Sequence, residues 1–197
     1  MGRMTLKQEE KNEGVRAFLW EIAQFVVLAL IIVVPIRTYI AQPYIVSGSS
    51  MHPAFENGDY LIVDQLTYRF KKPEHGDVII FRYPNDPSKF FIKRIIGTPG
   101  DTLNLHNGVI TITNSVYPDG ITFEESYIAF PLNEEITATL NEDEYFVLGD
   151  NRLASLDSRS WGPLEERLIV GRVLVRLFPV TKIGSFPGKL SPLEMPI

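Results

Sequence analysis

Two adjacent serines are the first candidates for chemistry in this sequence. Ser49 and Ser50 stand between Gly48 and Met51, shortly before a proline. A serine hydroxyl is a weak nucleophile until a base takes its proton. Small polar residues of this kind are also typical of a flexible loop. The interpretation as a catalytic serine therefore depends on a base elsewhere in the chain.

Lys93 is the candidate base, because it interrupts an otherwise apolar, strand-like run. Side chains alternate between the two faces of a strand, so Lys93 shares a face with Phe91 and Ile95, whereas Arg94 lies on the opposite face. Burial among apolar groups lowers the pKa of a lysine from its ordinary value of about 10.4. The alternative is an edge strand whose lysine points to solvent and discourages aggregation.

A third polar stretch, Gly149–Arg159, contains a hydroxyl that could orient the lysine. Ser155 could act as the third member of the site, as the orienting group does in other triads. Asp150, Asp157 and Arg159 offer ion pairs within or beyond the stretch. The alternative is a solvated loop that such ion pairs merely hold in shape.

An apolar segment near the N-terminus predicts a membrane anchor. The residues from Phe18 to Ile36 are interrupted only by Glu21 and Gln24, and a spanning helix needs roughly 20 mainly apolar residues. A buried core helix is one alternative. A cleaved signal peptide is another, but its apolar region is usually about 7–15 residues long and ends at a small-residue cleavage site. We predict a mobile tail over 1–16 and a transmembrane helix over 17–38.

The distribution of basic residues predicts the orientation of this helix. Four basic residues precede it, whereas Arg37 is followed by none before Arg69. Basic residues favour the cytoplasmic side. The N-terminus is therefore predicted in the cytoplasm and residues 39–197 outside it.

The remainder of the chain favours a mostly β fold. Short apolar runs rich in Val, Ile, Tyr and Phe alternate with turn signals, among them Pro84–Pro87 and Asn107-Gly108. The polar stretch 102–144 is predicted to be a subsidiary β lobe without chemistry of its own. The fold class predicted is one transmembrane helix followed by an antiparallel β catalytic domain.

Composition excludes several classes of function. The formal net charge of −5 argues against a nucleic-acid partner. The absence of cysteine excludes disulfides, thiolate metal sites and cysteine nucleophiles, and the three histidines show no metal-ligand spacing. We predict neither a metal nor a cofactor.

Three motifs in order resemble the type I signal peptidases, the serine–lysine leader peptidase family. They are S-G-S-S-M-H-P at 47–53, F-I-K-R-I-I-G-T-P-G-D at 91–101 and G-D-N-R-L-A-S-L-D-S-R-S-W-G at 149–162. The resemblance implies a membrane-anchored endopeptidase of the bacterial plasma membrane that removes signal peptides from secretory preproteins. It also implies two antiparallel sheets, with the active site facing the bilayer surface.

By motif position, the resemblance assigns Ser50 as the nucleophile, Lys93 as the general base and Ser155 as the hydroxyl that positions Lys93. It assigns supporting ion pairs to Asp150, Asp157, Arg94 and Arg159, and substrate contacts to Gly48 and Met51. Some members carry a serine at the position of Gly48, where its hydroxyl helps to bind the oxyanion. The second oxyanion donor is therefore open in this chain.

Two other functions fit parts of the sequence. The self-cleaving SOS repressors are serine–lysine proteases that share the β fold, but the apolar segment and the lack of a DNA-binding helix pair count against them. A membrane-tethered module that binds peptides without cleaving them is the non-enzyme alternative. The joint presence of Ser50, Lys93 and Ser155 counts against that alternative.

Overall fold

The computed structural model describes residues 2–123, 125, 128 and 134–190, with side chains from residue 16 onward except at 17 and 123. Parts of the predicted lobe 102–144 and the last seven residues of the predicted catalytic domain lie outside this range, as does residue 1 of the predicted tail. By its internal contacts the chain divides into two units after Ile40.

The first unit is one long helix, α1 (Gly2–Pro35), continued by a π-helical turn, Ile36–Ile40. The segment predicted as a mobile tail is helical instead, because Lys, Glu, Gln, Leu and Met, which favour helices, fill much of it. Phe18–Ile40 is long and apolar enough to cross a membrane, judged by length and composition. Its large apolar side chains are exposed.

The second unit is built of antiparallel β-sheet. Its described strands are β1 (Ala41–Ile45), β2 (Tyr60–Asp64), β3 (Val78–Tyr83), β4 (Asp86–Gly97), β5 (Thr102–His106), β6 (Val109–Thr113), β7 (Ile121–Phe123), β8 (Ile136–Thr139), β9 (Glu144–Leu148), β10 (Leu164–Glu165), β11 (Ile169–Phe178) and β12 (Gly184–Ser185). The larger sheet has the order β1-β2-β11-β3-β4-β9-β10, with β12 paired to β11. The smaller sheet has the order β7-β6-β5-β8. The fold class is therefore mostly β with one N-terminal apolar helix, as predicted.

β4 is the longest of the described strands and lies inside the larger sheet, between β3 and β9. The sequence predicts this strand from Phe90 to Gly97, after a turn at Pro84–Pro87. The strand begins at Asp86 instead, because Tyr83 pairs with Asp86 and confines the turn to Pro84 and Asn85. At Lys93 the strand pairs with Ile79 of β3. Pairing with β9 on the other side begins at Arg94. The Lys93 residue is only 3% exposed, so its side chain does not point to solvent as that of a protective edge lysine would.

The smaller sheet has an apolar core. The predicted hairpin joins β5 to β6 through Asn107 and Gly108, whose φ angles are 50° and 80°. Positive φ at both central residues is typical of a type I′ turn. One cluster of buried side chains joins this sheet to β4 and β9: Ile96, Leu103, Leu105, Ile110, Ile112, Leu140, Phe146, Leu148 and Leu190.

Candidate active site

The loop after β1 presents Ser50. It is held by two bonds from Asn151, whose backbone N–H donates to the carbonyl of Ser50 at 3.0 Å and whose side chain donates to the carbonyl of Ser49 at 3.2 Å. These bonds tie the first motif to the third. Gly48 adopts φ 96°, a conformation that L side chains rarely reach.

Lys93 lies beside Ser50. Its Nζ is 2.7 Å from Ser50 Oγ and 2.8 Å from the carbonyl oxygen of Ile92. The residue is only 3% exposed, and the ring centroid of Phe91 lies 5.5 Å from Nζ. A nucleophile and a base within hydrogen-bond distance are the arrangement that an activated serine requires.

Burial lowers the pKa of Lys93 from 10.5 to about 8. The charge of an ammonium is poorly solvated away from water, so the neutral amine is favoured. Asp157 and Asp150 act in the opposite direction, because their negative charges favour the ammonium. Desolvation is the larger effect. A substantial fraction of the lysine is therefore neutral, and able to accept a proton, at mildly alkaline pH.

Arg94, the next residue of β4, is fully paired. Its guanidinium donates to both carboxylate oxygens of Asp150, at 2.8 and 2.6 Å, and both side chains are 1% exposed. It also donates to the carbonyls of Gly76 and Gly188, at 3.0 and 2.5 Å. Two parallel bonds between an arginine and a carboxylate fix their relative orientation. This pair joins β4 to the third motif.

The second ion pair lies within the third motif. Asp157, which is fully buried, accepts bonds from Arg159 at 2.7 and 2.9 Å and from the backbone N–H of Gly149 at 3.0 Å. Arg159 also donates to the carbonyl of Arg152 at 2.8 Å. The four residues predicted as ion-pair partners thus form two pairs that fix the loop from Gly149 to Arg159.

Ser155 lies close to the site but is not bonded to Lys93. Its Oγ is buried and has no hydrogen-bond partner among the described residues. A Cβ added at Gly149 would clash with both Ser155 Oγ and the carbonyl oxygen of Ser50. Gly149 therefore lets Ser155 and the loop of Ser50 approach one another, and the sequence interpretation gave it no such role.

A groove of about 640 Å³ runs past Ser50 and Lys93. One wall is the stretch 44–50 and the other is the stretch 89–93; Leu61, Ile80, Ala154 and Leu156 complete the lining. From the sequence, the substrate is predicted to lie extended beside the strand before Ser50, Pro43–Ser47, and beside the strand that leads to Lys93. The residues that line individual specificity pockets were not identified from the sequence.

The prediction that Met51 contacts substrate is wrong. Met51 is 1% exposed and packs in a core cluster with residues that line the groove, among them Leu61, Ile80 and Ile92. Because its side chain turns inward from the loop, it supports the groove from beneath. Among the described residues, no group of His, Cys, Asp or Glu side chains could hold a metal ion.

Comparison with known proteins identifies the family. The family described as "Signal peptidase, peptidase S26" matches residues 19–178. The chain belongs to this family. It is 37% identical over 183 residues, 89% of this chain and 81% of the relative, to the probable signal peptidase I-2 of Synechocystis sp.. It is 36% identical over 171 residues to the signal peptidase I of Leptolyngbya laminosa, covering 80% of this chain and 79% of the relative.

A crystal structure of a signal peptidase I from Enterococcus faecalis V583 is 30% identical to the chain. The alignment covers 52% of this chain and 97% of that one, with a TM-score of 0.44. The family match and the curated relatives confirm the resemblance inferred from the three motifs. The protein is therefore a peptidase of the signal peptidase type.

Proposed function

We propose that the chain is a membrane-anchored serine endopeptidase that removes N-terminal signal peptides from exported preproteins with Ser50 and Lys93. Its relatives named signal peptidase I support the substrate class. The observation that carries the mechanism is the 2.7 Å separation between Ser50 Oγ and the buried Lys93 Nζ.

In this mechanism neutral Lys93 accepts the proton of Ser50 as Oγ attacks the scissile carbonyl. The carbon–nitrogen bond then breaks, and the ammonium of Lys93 returns the proton to the leaving amine. An ester joins Ser50 to the signal peptide, and water hydrolyses it with Lys93 again acting as base. The hydroxyl of Ser155 would orient the amine of Lys93. Asp150, Asp157, Arg94 and Arg159 hold the loops in place.

The substrate would bind as an added strand in the groove. The groove is bordered by the end of β1 and the loop that follows it, at 44–50, and by β4 at 89–93. The pairing of β4 with β9 begins at Arg94, so the stretch 89–93 is unpaired on that side. Such edges bind peptides through main-chain hydrogen bonds. Alternate side chains of an added strand point the same way, which fits small residues at the first and third positions before the cut. A preprotein with alanine at the first position before the cut should be cleaved, and one with a large aromatic residue there should remain uncleaved. Equal cleavage of these two preproteins would contradict the proposed mode of binding.

The Gly48 N–H donates to the side chain of Asn57 at 3.0 Å, so it is already engaged. This supports the Ser50 N–H as an oxyanion donor. Ser49 is exposed, and its hydroxyl could supply at most an accessory contact.

The function is tested by cleavage of a purified preprotein in detergent. Ser50→Ala removes the attacking oxygen and should lower kcat by about 10⁶-fold, whereas Ser49→Ala is its matched control and should retain most activity. An active Ser50→Ala protein would end the proposal. Reaction with a serine-directed probe separates this enzyme from a module that only binds peptides.

Membrane anchoring is proposed from Phe18–Ile40, and orientation from the four basic residues that precede this segment. The partners would then include the lipid bilayer, and the catalytic unit would lie outside the cytoplasm. Protease added to intact spheroplasts should digest the catalytic unit. Protection of that unit, with cleavage of the N-terminal segment instead, would reverse the orientation.

A further inference from the structure

Glu125, which follows β7 of the smaller sheet, contacts the loop Gly149–Arg159, called here the catalytic loop. Its two carboxylate oxygens accept bonds from the two terminal nitrogens of Arg152, one at 2.8 Å and the other shorter still. The Arg152 side chain is 1% exposed and that of Glu125 is 11% exposed. A bidentate arginine–carboxylate pair fixes orientation as well as distance.

Arg152 is a connector within the catalytic loop. It follows Asn151, which holds the carbonyls of Ser49 and Ser50, and it precedes Ser155 by three positions. Its Nε donates to the carbonyl of Gly149 at 3.2 Å, and its own carbonyl accepts a bond from Arg159 at 2.8 Å. Any shift of Arg152 would therefore move the chain on both sides of it.

We propose that Glu125 is a positioning residue for the cleavage reaction, because through Arg152 it holds the loop that carries Ser155 in register with Ser50 and Lys93. This inference rests on the proposed roles of those three residues. It also revises the expectation that the stretch 102–144 has no part in the chemistry. Glu125 lies two residues beyond the end of β7.

The physical reason is the charge of Arg152. A buried guanidinium that loses its carboxylate is left uncompensated, and it gains solvation only if the surrounding chain moves. The loop would then carry Ser155 out of register with Ser50 and Lys93. Displacements of about 1 Å can lower catalytic rates by about 10²-fold.

A second carboxylate in the connection between β7 and β8 makes a weaker contact with the catalytic loop. Glu134 lies 3.5 Å from Arg159 and is 48% exposed. Arg159 is already paired to Asp157. Exposed ion pairs of this kind contribute little, so the inference rests on Glu125 alone.

The first experiment compares Glu125→Gln with Glu135→Gln in the full-length chain, using purified preprotein in detergent. Glu135, the control position, also lies between β7 and β8, and its side chain is 78% exposed beside His106. Glu125→Gln should lower kcat by about 10- to 100-fold, while Glu135→Gln should stay within about twofold. Unfolding followed by circular dichroism shows that each variant is folded at the assay temperature. Wild-type kcat in folded Glu125→Gln overturns the proposal.

The second experiment asks whether Glu125 acts through Ser155. Glu125→Gln should have little further effect on kcat in a Ser155→Ala background, because residues that act as a unit are not additive. A purely structural role would lower both backgrounds by the same factor and would overturn the proposal, as would wild-type kcat in Ser155→Ala. If Glu125→Gln does not fold, Glu125→Asp keeps the charge with a shorter reach and should show the same pattern.

These results separate this inference from the proposed function. Failure of the function would appear as cleavage by Ser50→Ala. Failure of the inference would leave Ser50→Ala inactive while Glu125→Gln cleaves normally.

Discussion

Two buried cations occupy successive positions of β4, and the protein surrounds them in opposite ways. Arg94 donates to both oxygens of Asp150 and to two backbone carbonyls. Lys93, on the other face, is bonded to the hydroxyl of Ser50 and to one carbonyl. The first environment stabilises a permanent charge, whereas the second favours the loss of one. Similar burial thus stabilises an ion pair at one residue and, in the proposed mechanism, supplies the base at its neighbour.

The difference follows from the partners that each face meets. The face of Arg94 carries a carboxylate in bidentate contact. The face of Lys93 presents the aromatic ring of Phe91, and Asp150 and Asp157 act on the lysine only as more distant charges. A guanidinium stays charged at any accessible pH, so the arginine could not exchange roles with the lysine.

The largest effect should come from Lys93→Met. This change keeps the approximate volume and removes the base, so kcat/KM should fall by about 10⁴-fold or more while the protein still folds. Lys71→Met, at an exposed position, is the control and should cleave normally. Cleavage by Lys93→Met at the wild-type rate would show that Lys93 is not the base.

Arg94→Met should act mainly on stability. It leaves Asp150 buried without its partner, which costs about 3–5 kcal/mol of unfolding free energy. Urea titration of purified protein measures this, with Arg167→Met, whose side chain is 72% exposed, as the control. The folded fraction should retain most of its kcat. A variant of wild-type stability would show that the Arg94–Asp150 pair does not stabilise the fold.

The two faces should also differ in how stability responds to pH. The pKa of Lys93 is lower in the folded chain, about 8 against 10.5, so between these values the unfolded chain binds more protons and stability rises with pH. Burial of the charged Lys93 lowers the unfolding free energy by its full amount below pH 8. Lys93→Met lacks it, and its stability relative to wild type should shrink by about 3 kcal/mol as the pH rises from 8 to 10.5. A difference independent of pH would contradict the lowered pKa.

The smallest effect should come from Arg94→Lys. The charge is retained, but a lysine cannot reproduce the two parallel bonds to Asp150. We expect a loss of about 1–2 kcal/mol, less than for Arg94→Met. The same urea titration measures it. Equal losses in the two variants would mean that the geometry of the pair, and not its charge, stabilises this face.

Local sequence patterns predicted much of this arrangement. The apolar neighbours of Lys93 predicted its burial, and Asn107-Gly108 predicted a hairpin, because both depend on strand alternation or on turn chemistry within a few residues. The motif order pointed to the family that the comparisons confirm.

Other features depend on contacts between distant parts of the chain. The unbonded hydroxyl of Ser155, the inward position of Met51 and the pairing of Glu125 with Arg152, 27 residues away, cannot be deduced from local patterns. The early start of β4 at Asp86 depended on how two strands pair. The helical N-terminal segment reflects helix propensity, which a polar segment can have without any apolar periodicity.

The most direct test of the account is the pH dependence of kcat/KM, which reports the ionisation of essential groups in the free enzyme. If neutral Lys93 is the base, activity should increase as the pH rises through about 8. The profile is measured on purified preprotein over a range in which circular dichroism shows the enzyme folded. A rising limb near 8 is the predicted result. A limb at about 10.4, the value of a solvated lysine, would contradict a base whose pKa is lowered by burial.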